Sequence, residues 1–153
     1  MKRILFYCLR MIAFCCRLID NRLYMNFIVA AHRSQGVYFE GFPSYIQADA
    51  YLDPSGGLKI ENNVVISTKV IILTHDWSFL VRENKNASMS EKDAYRSVTI
   101  GENTFIGAGA IVLPGSSIGK SCIIGAGAVI KGAIDDYSIM VGNPAKKIGN
   151  TNF

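Results

Sequence analysis

The chain has 153 residues, the length of one ordinary domain, and half of them are hydrophobic, which excludes a largely disordered protein. Its formal net charge of +4 is uneven, because six of the 16 basic residues but only one of the 12 acidic residues fall within residues 1–33. The rest of the chain lacks the excess of lysine and arginine that a nucleic-acid-binding face needs, so we expect no nucleic-acid partner.

Residues 1–33 are expected to form an amphipathic helical segment. Arg3, Arg10 and Arg17 recur every seven residues and so share one helical face, whereas the large apolar side chains lie elsewhere. These arginines also interrupt the apolar runs, so the segment fits neither a secretory signal peptide nor a spanning helix of about 20 residues. We therefore expect a cytoplasmic protein whose first segment either contacts the inner membrane face as a peripheral element or packs on the protein's own surface.

The four cysteines form no metal-binding pattern. Cys8, Cys15, Cys16 and Cys122 include no Cys-x-x-Cys spacing, and the chain has only two histidines, so we expect no metal site. Reduced thiols in a reducing compartment are the interpretation that this spacing favours.

A repeat of six residues follows the helical segment and decides the expected fold. Branched residues recur at this spacing in two arms: Ile60, Ile66 and Ile72, then Ile100, Ile106, Val112, Ile118, Ile124 and Ile130. Small residues stand four places after most of them, and glycine directly follows several. A period of six matches neither a helix nor a hairpin, but it suits a triangular coil in which three short strands close one turn.

We therefore predict an all-β fold, a parallel β-solenoid over residues 34–148 with a tail at 149–153. Ile100 should stack on Ile118, Ile106 on Ile124 and Val112 on Ile130, each pair one coil apart. Between the two arms, residues 76–97 show no register and are expected to form an inserted loop, and such loops often line a site. His75 directly precedes the loop and should lie at the rim of the coil.

Three stretches resemble the hexapeptide-repeat transferases. They are the run from Ile100 through Gly115, Ile124-Gly-Ala-Gly-Ala, and Val141-Gly-Asn-Pro-Ala. With the more specific Ile72-Leu-Thr-His75-Asp-Trp, they are similar to the maltose, galactoside, nodulation-factor and colanic-acid types of sugar O-acetyltransferase. The resemblance implies a left-handed parallel β-helix, a homotrimer with sites between subunits, and acetyl-CoA-dependent transfer to a hydroxyl of a saccharide or glycoconjugate.

The same resemblance implies that His75 is the catalytic base. O-acyl transfer needs a group that takes the proton of the attacking hydroxyl, and neutral imidazole can do so at physiological pH. His32 has no comparable context and is expected to be structural. Around His75, the resemblance suggests Asp49 as a contact of the acceptor, with Asp53 similar and Trp77 as a ring that stacks on a sugar. Each could instead be a solvated turn residue or a loop anchor.

For the co-substrate, the resemblance implies that the pantetheine arm of acetyl-CoA lies along the coils after the loop. Ala108 and Ala126 match the small positions that allow this approach, and the N–H of Ala108 is the candidate oxyanion donor. Lys131, Lys146 and Lys147 are candidates for the CoA phosphates, with simple solvation as the alternative.

Two other functions remain open from the sequence. One is N-acetylation of an amino-sugar nucleotide, since that acceptor also needs only a base and a pocket. The other is a catalytically silent hexapeptide-repeat protein that serves as an assembly platform, against which the presence of His75 at the break in the repeat argues. A γ-type carbonic anhydrase is excluded, because it requires three histidines per zinc.

Overall fold

The computed structural model describes residues 1–78 and 91–152, with two helices and fifteen short strands among them. The helices are α1 (Lys2–Arg17) and α2 (Asn21–Gln35). The strands are β1 (Tyr38–Phe39), β2 (Tyr45–Ile46), β3 (Tyr51–Leu52), β4 (Leu58–Ile60), β5 (Val65–Ile66), β6 (Ile71–Ile72), β7 (Val98–Ile100), β8 (Phe105–Ile106), β9 (Ile111–Val112), β10 (Ser117–Ile118), β11 (Ile123–Ile124), β12 (Val129–Ile130), β13 (Ala133–Ile134), β14 (Ser138–Val141) and β15 (Lys146–Asn150).

The strands form three sheets that the chain visits in turn. The first sheet has the order β1-β4-β7-β10-β13, the second β2-β5-β8-β11-β14-β15 and the third β3-β6-β9-β12. All neighbours are parallel except β14 and β15. Because each strand from β2 to β14 belongs to the sheet after that of its predecessor, the chain winds as a triangular parallel β-helix, as the period of six predicts.

The expected stacking is confirmed. Ile118 is in register with Ile100, Ile124 with Ile106, and Ile130 with Val112. The same column continues through the first arm, where Ile60 is in register with Ile100 across the inserted loop. These branched side chains are fully or almost fully buried, and burying each one stabilises the fold by about 1.5–3 kcal/mol.

Small residues at the corners let successive coils approach closely. A Cβ atom on Gly107 would lie 2.6 Å from the N atom of Ala126 in the next coil, so this position requires glycine. Two of the small buried residues are polar, and their hydroxyl groups have partners: Thr104 Oγ1 donates to the Gly119 carbonyl at 2.9 Å, and Ser116 Oγ donates to the Leu113 carbonyl at 2.6 Å.

The segment expected as a single helical element is a hairpin of two helices. Asp20 separates them, because its carboxylate accepts a hydrogen bond from Leu23 N at 2.8 Å and caps α2. Gly36, with φ of +112°, ends α2 in the left-handed conformation. Helix α2 covers the first coil, where the buried Tyr24 hydroxyl donates to the Ile46 carbonyl at 2.6 Å.

Helix α1 packs on α2 through Ala13 and Cys16 and turns its opposite side outward. Large apolar side chains of α1 are exposed on its outer side, namely Ile4, Leu5, Met11, Ile12 and Phe14, and Leu18 and Ile19 directly after the helix are exposed as well. Within the described residues, neither helix combines the length and the apolar composition needed to cross a bilayer.

At the other end, β15 turns back and pairs antiparallel with β14. Within the tail expected at residues 149–153, Gly149 and Asn150 belong to this antiparallel ladder. Thr151 is also attached, since its hydroxyl donates to the Ser121 carbonyl at 2.6 Å.

Of the inserted loop, the structure describes residues 76–78 and 91–97. A 3-10 helix spans Glu91–Ala94, and Tyr95 forms an antiparallel bridge with His75. Residues 79–90 of the expected loop lie outside the described residues.

Candidate active site

His75 lies at the corner between the third and first sheets, directly after β6. Its Nδ1 atom is 2.6 Å from Asp53 Oδ2 and 3.1 Å from Ser55 Oγ. Its side chain is 31% exposed, whereas that of Asp53 is only 3% exposed. The imidazole of His75 is therefore partly exposed at the surface and is held from below by the buried carboxylate of Asp53 in the preceding coil.

The carboxylate of Asp53 accepts a dense set of hydrogen bonds. Ser55 N and Ser55 Oγ donate to Oδ1 at 3.0 and 2.7 Å, and Thr74 N and Thr74 Oγ1 both donate to Oδ2 at 2.8 Å. Burial alone raises the pKa of Asp53, but these hydrogen bonds outweigh it and hold the pKa well below its usual range. Asp53 is therefore ionised at neutral pH.

An ionised Asp53 sets the tautomer of the neutral imidazole. The carboxylate can only accept, so the ring proton belongs on Nδ1, and the lone pair is left on Nε2. This is the arrangement that a general base requires, because the second nitrogen is then available to a proton donor.

The turn beneath His75 depends on a glycine. Gly56 N donates to Thr74 Oγ1 at 2.8 Å, and a Cβ atom on Gly56 would lie only 2.1 Å from the Thr74 carbonyl oxygen. A side chain at this position would have to displace Thr74, the residue before His75. The close approach of the two coils therefore helps to position the imidazole.

A cleft of about 360 Å³ opens beside His75. It is lined by Leu73, His75, Asp76, Ser78, Arg96, Leu113, Pro114 and Lys131. Arg96 N donates to the Thr74 carbonyl at 2.8 Å, and its guanidinium lies 3.8 Å from the Asp76 carboxylate. The returning part of the loop thus forms one wall of the cleft.

Two aromatic residues extend this wall. The ring centroids of Tyr95 and His75 are 6.4 Å apart, and those of Trp77 and Tyr95 are 5.7 Å apart with the rings nearly perpendicular. Trp77 is 38% exposed, so it packs on Tyr95 and keeps part of its ring at the surface.

The structure brings together only some of the residues expected at the site. His75, Asp53 and Lys131 lie at one corner, and Trp77 is connected to them through Tyr95. Asp53, a candidate contact of the acceptor, is buried beneath His75, and both of its carboxylate oxygens accept hydrogen bonds within the chain. A corner side chain that faces the next coil is covered by it, which the repeat pattern does not reveal.

Asp49, Ala108 and Ala126 lie at a different corner, between the second and third sheets. Asp49 accepts hydrogen bonds from Thr68 Oγ1 at 2.5 Å and from Lys69 N at 3.2 Å. The hydrogen bond from Thr68 is the main reason that the pKa of Asp49 lies below its usual value. Within one chain, therefore, Asp49 is attached to the next coil and does not share the cleft of His75.

Ala108 and Ala126 form a backbone ladder at that corner. Gly127 N donates to the Ala108 carbonyl at 2.9 Å, and a Cβ atom added to Gly109 or Gly127 would point into open space. No acceptor for the Ala108 N–H group occurs in the described part of the chain. Small residues leave this corner accessible, as a bound pantetheine arm would require.

Lys146 and Lys147 are exposed on β15, at the end of the second sheet. Neither lines the cleft of His75, in contrast to Lys131.

Sequence reasoning missed Ser55, Thr74 and Tyr95. The signal for the first two was available, because Leu52 and Ile72 occupy equivalent places in successive coils. Extending that register by a few residues places Asp53 and Ser55 next to Thr74 and His75. Tyr95 had no such signal, since it lies in the loop outside the repeat.

In residues 1–78 and 92–152, no three histidine, cysteine or carboxylate side chains cluster in a way that could hold a metal ion.

Comparison with known proteins identifies the repeat. Residues 97–132 match the family model for the bacterial transferase hexapeptide (six repeats). The second arm of the repeat is a bacterial transferase hexapeptide repeat. This match confirms the resemblance for the coils that follow the loop.

Several known proteins are similar to this chain, and some of them are named as enzymes. Protein CapG of Staphylococcus aureus is 44% identical over 91 residues, which cover 60% of this chain and 51% of CapG. A maltose O-acetyltransferase from Clostridium difficile 630 shares the fold, with a TM-score of 0.64 and 19% identity over 99% of this chain and 85% of that one.

A second solved structure with this fold is AntD, an N-acyltransferase from Bacillus cereus in complex with dTDP and 3-hydroxybutyryl-CoA. Its TM-score is 0.58 and its identity 24%, over 74% of this chain and 62% of AntD. The chain spans 51% of CapG and between 18% and 63% of the other curated relatives it matches.

Proposed function

We propose that the protein is an acetyl-CoA-dependent O-acetyltransferase that modifies a hydroxyl group of a saccharide or glycoconjugate. The observation that carries this proposal is the pair of His75 and the buried, ionised Asp53 at the mouth of a cleft. A base held in one tautomer by a carboxylate has no evident role in an assembly platform. It fits the removal of a proton from an alcohol.

In this mechanism Nε2 of His75 takes the proton of the acceptor hydroxyl as its oxygen forms a bond to the acetyl carbon. Acetyl-CoA supplies an activated thioester, whose carbon–sulfur bond breaks. His75 then returns the proton to the departing thiolate, so the imidazole ends neutral and no covalent acyl-enzyme forms. Asp53 keeps its charge throughout and stabilises the imidazolium between these two steps.

The expected co-substrate contacts divide into three groups. Lys131 shares the cleft with His75 and can bind a phosphate or the acceptor there. Ala108, with its unused N–H group, and Ala126 offer the accessible backbone for the pantetheine arm and the oxyanion. Lys146 and Lys147 remain candidates for the CoA phosphates.

The cleft of His75 and Lys131 and the corner of Ala108 and Ala126 are separate within one chain. Both can contribute to one site only if they come from different subunits. A left-handed coil assembled as a homotrimer would bring the His75 corner of one subunit to the Ala108 corner of the next, with three sites per trimer. Light scattering at micromolar concentration tests this, since a fully active monomer would contradict it.

A second candidate is N-acylation of an amino-sugar nucleotide. The solved N-acyltransferase with this fold was crystallised with dTDP, and the same base can deprotonate an amine as it attacks. The Asp53–His75 pair does not distinguish the two acceptors.

The decisive experiment is thiol release from acetyl-CoA against a panel of saccharides and amino-sugar nucleotides, with the product located by NMR. Acceptor-dependent release that disappears in His75→Ala is expected. Equal release with and without every acceptor would leave the assembly platform as the better interpretation.

We further propose that the exposed apolar face of α1 contacts the cytoplasmic membrane surface, with the basic side chains of residues 1–33 beside anionic headgroups. The alternative is that this face packs on another subunit. Flotation with vesicles that contain phosphatidylglycerol distinguishes them when Ile4 and Met11 are both replaced by serine: unchanged flotation would contradict the membrane contact.

A further inference from the structure

A second pocket lies outside the cleft of His75, between the helical hairpin and the edge of the third sheet. It has a volume of about 390 Å³, and we call it the arginine pocket. Arg3 and Arg10 of α1, His32 and Gln35 of α2, and Tyr51 and Pro54 of the first coil line it. Strand β3 is the last strand of its sheet, so its outer edge faces this space.

The pocket carries positive charge that the described residues do not neutralise. The half-buried guanidinium of Arg10 donates to the Ala48 carbonyl and lies 5.2 Å from the centre of the Phe6 ring. Within the described part of the chain, no carboxylate forms an ion pair with Arg3 or Arg10. Helix α1 has no acidic residue, and Asp20 serves as the cap of α2. A partly buried arginine without an anion is costly unless a ligand supplies one.

His32 provides an independent sign of a missing partner. Its ring lines the pocket and is only 2% exposed, yet no described group forms a hydrogen bond with its Nε2 atom. A buried polar atom without a partner costs about 1–3 kcal/mol, so such atoms are rare. Burial, and then the charge of Arg10, lowers the pKa of His32 to about 4, so the ring is neutral. In the tautomer with the proton on Nε2, the ring has a buried donor without an acceptor among the described residues.

The pocket is close to the proposed active site along the chain. Pro54 lines its wall, and the residues on either side of Pro54 are Asp53 and Ser55, which both contact the imidazole of His75. The backbone of residues 53–55 therefore connects the wall of the arginine pocket to the two side chains that contact the base.

We propose that the arginine pocket binds the phosphate of the acceptor, so that the acceptor is a saccharide carried on a phosphate or diphosphate. The inference rests on the proposed acetyl transfer and names the class of its acceptor. Two arginines and a neutral donor suit phosphate oxygens, because guanidinium groups bind them through paired, charge-assisted hydrogen bonds.

The carrier beyond the phosphate can be a nucleoside or a lipid. An apolar groove of about 380 Å³ shares Tyr7 and Arg10 with the arginine pocket and continues along Met11, Phe14 and Cys15. An aliphatic chain fits that groove, whereas a nucleoside would instead stack on the exposed rings of Tyr7 and Tyr51.

Binding is tested first, without any acetyl transfer. Inorganic pyrophosphate is titrated into the full chain by calorimetry, with Arg3→Gln, Arg10→Gln and, as matched control, Arg22→Gln. Arg22 carries the same charge on the same hairpin but is exposed and does not line the pocket. We expect the two pocket variants to bind about tenfold more weakly or not at all, and Arg22→Gln to bind like the wild type. Equal binding by all four proteins overturns the proposal.

Arg10 also contacts the backbone of the first coil, so its variant could lose structure. Arg3 is exposed at the rim of the pocket, so Arg3→Gln separates the ligand contact from folding. An Arg3→Gln protein with unchanged melting temperature and weakened pyrophosphate binding supports the pocket.

Kinetics then test whether the pocket serves the acceptor. The same sugar is supplied free, as a nucleoside diphosphate conjugate and as a polyprenyl diphosphate conjugate. We expect a KM at least about tenfold lower for one conjugate than for the free sugar, and we expect Arg3→Gln to remove this preference. The preferred conjugate identifies the carrier. No preference for either conjugate, or a rise in the KM for acetyl-CoA alone, overturns the assignment to the acceptor.

These results separate the proposal from the proposed function. Loss of pyrophosphate binding in Arg3→Gln, together with no acetyl transfer to any acceptor, would retain the anion pocket and reject the acetyltransferase. Acetyl transfer to a free sugar, together with no binding of pyrophosphate, would retain the acetyltransferase and reject the anion pocket.

Discussion

Replacing Asp53 by asparagine isolates the contribution of the buried carboxylate, because the side chain keeps its shape. The carboxylate accepts five hydrogen bonds on two oxygens, and two of the donors are the backbone N–H groups of Ser55 and Thr74. Asparagine has one oxygen, so its amide nitrogen must face one of these N–H groups. One buried donor is then left without an acceptor, which costs about 1–3 kcal/mol.

For a chain of this length, each kcal/mol corresponds to about 2–4 °C in the melting temperature. We therefore expect Asp53→Asn to melt about 2–12 °C below the wild type. If the amide oxygen faces His75, the bond to Nδ1 changes from charge-assisted to neutral, a difference of about 1–2 kcal/mol or about 5- to 30-fold in kcat. If the amide nitrogen faces His75, Nε2 carries the proton and the base is lost, and the decrease is larger.

The assay is steady-state release of CoA thiol at 25 °C, alongside melting curves. Asp136→Asn is the matched control, because Asp136 accepts a hydrogen bond from Lys120 N at 2.9 Å but lies on the surface at another corner. It should keep wild-type kcat. A folded Asp53→Asn protein with kcat within about twofold of the wild type would refute the reasoning that Asp53 positions the base.

Three further predictions follow from the same site. The pKa of Asp53 is lower in the folded chain than in the unfolded chain, where it is about 4. Asp53 therefore contributes fully to the free energy of unfolding above about pH 4, and this contribution decreases in more acidic solution. Urea titrations at pH 7, 5 and 3 should show that the difference in free energy of unfolding between wild type and Asp53→Asn decreases only below about pH 4. His75→Ala and His75→Asn should each lower kcat by about 10²–10⁴-fold with unchanged melting temperature, since His75 is outside the core, and near-wild-type turnover by a folded variant would contradict its role as base. Gly56→Ala should lower both kcat and the melting temperature, because its Cβ would meet the Thr74 carbonyl. Gly142→Ala, where an added Cβ makes only an ordinary contact of 3.5 Å with the Pro144 carbonyl, should lower the melting temperature through its positive φ alone and keep kcat; equal kcat for the two variants would contradict this.

The sequence predicted the coil and its register because a repeated branched residue can satisfy only one stacking arrangement. Ile100 and Ile118 illustrate this: a slip by one residue would expose both. It also predicted His75 at the end of the first arm. The hairpin of α1 and α2 was not predicted. Asp20 lies between two apolar runs and is of a residue type that caps helices, but whether it starts a new helix depends on where that helix packs.

The parts of the site that lie in corners were not predictable in the same way. Asp53 and Asp49 follow neighbouring strands and look alike in the sequence, yet one is buried under the next coil and the other is exposed. Their environments depend on which side chain stands above them one coil later, Thr74 and His75 in one case and Thr68 in the other. That pairing requires the register across the whole coil, which a local motif does not contain.

A stack of identical coils has no inherent length, since the edges of the last coil can pair with the edges of another copy. Here the two ends are closed by different means. At one end the Tyr24 hydroxyl and the Met25 sulfur occupy the carbonyl and the N–H of Ile46, and at the other end β15 runs in the opposite direction along β14. The helix covers the edge at one end of the second sheet, and at the other end β15 carries the exposed Lys146 and Lys147, charges that disfavour the pairing of another copy and so end-to-end polymerisation into fibres.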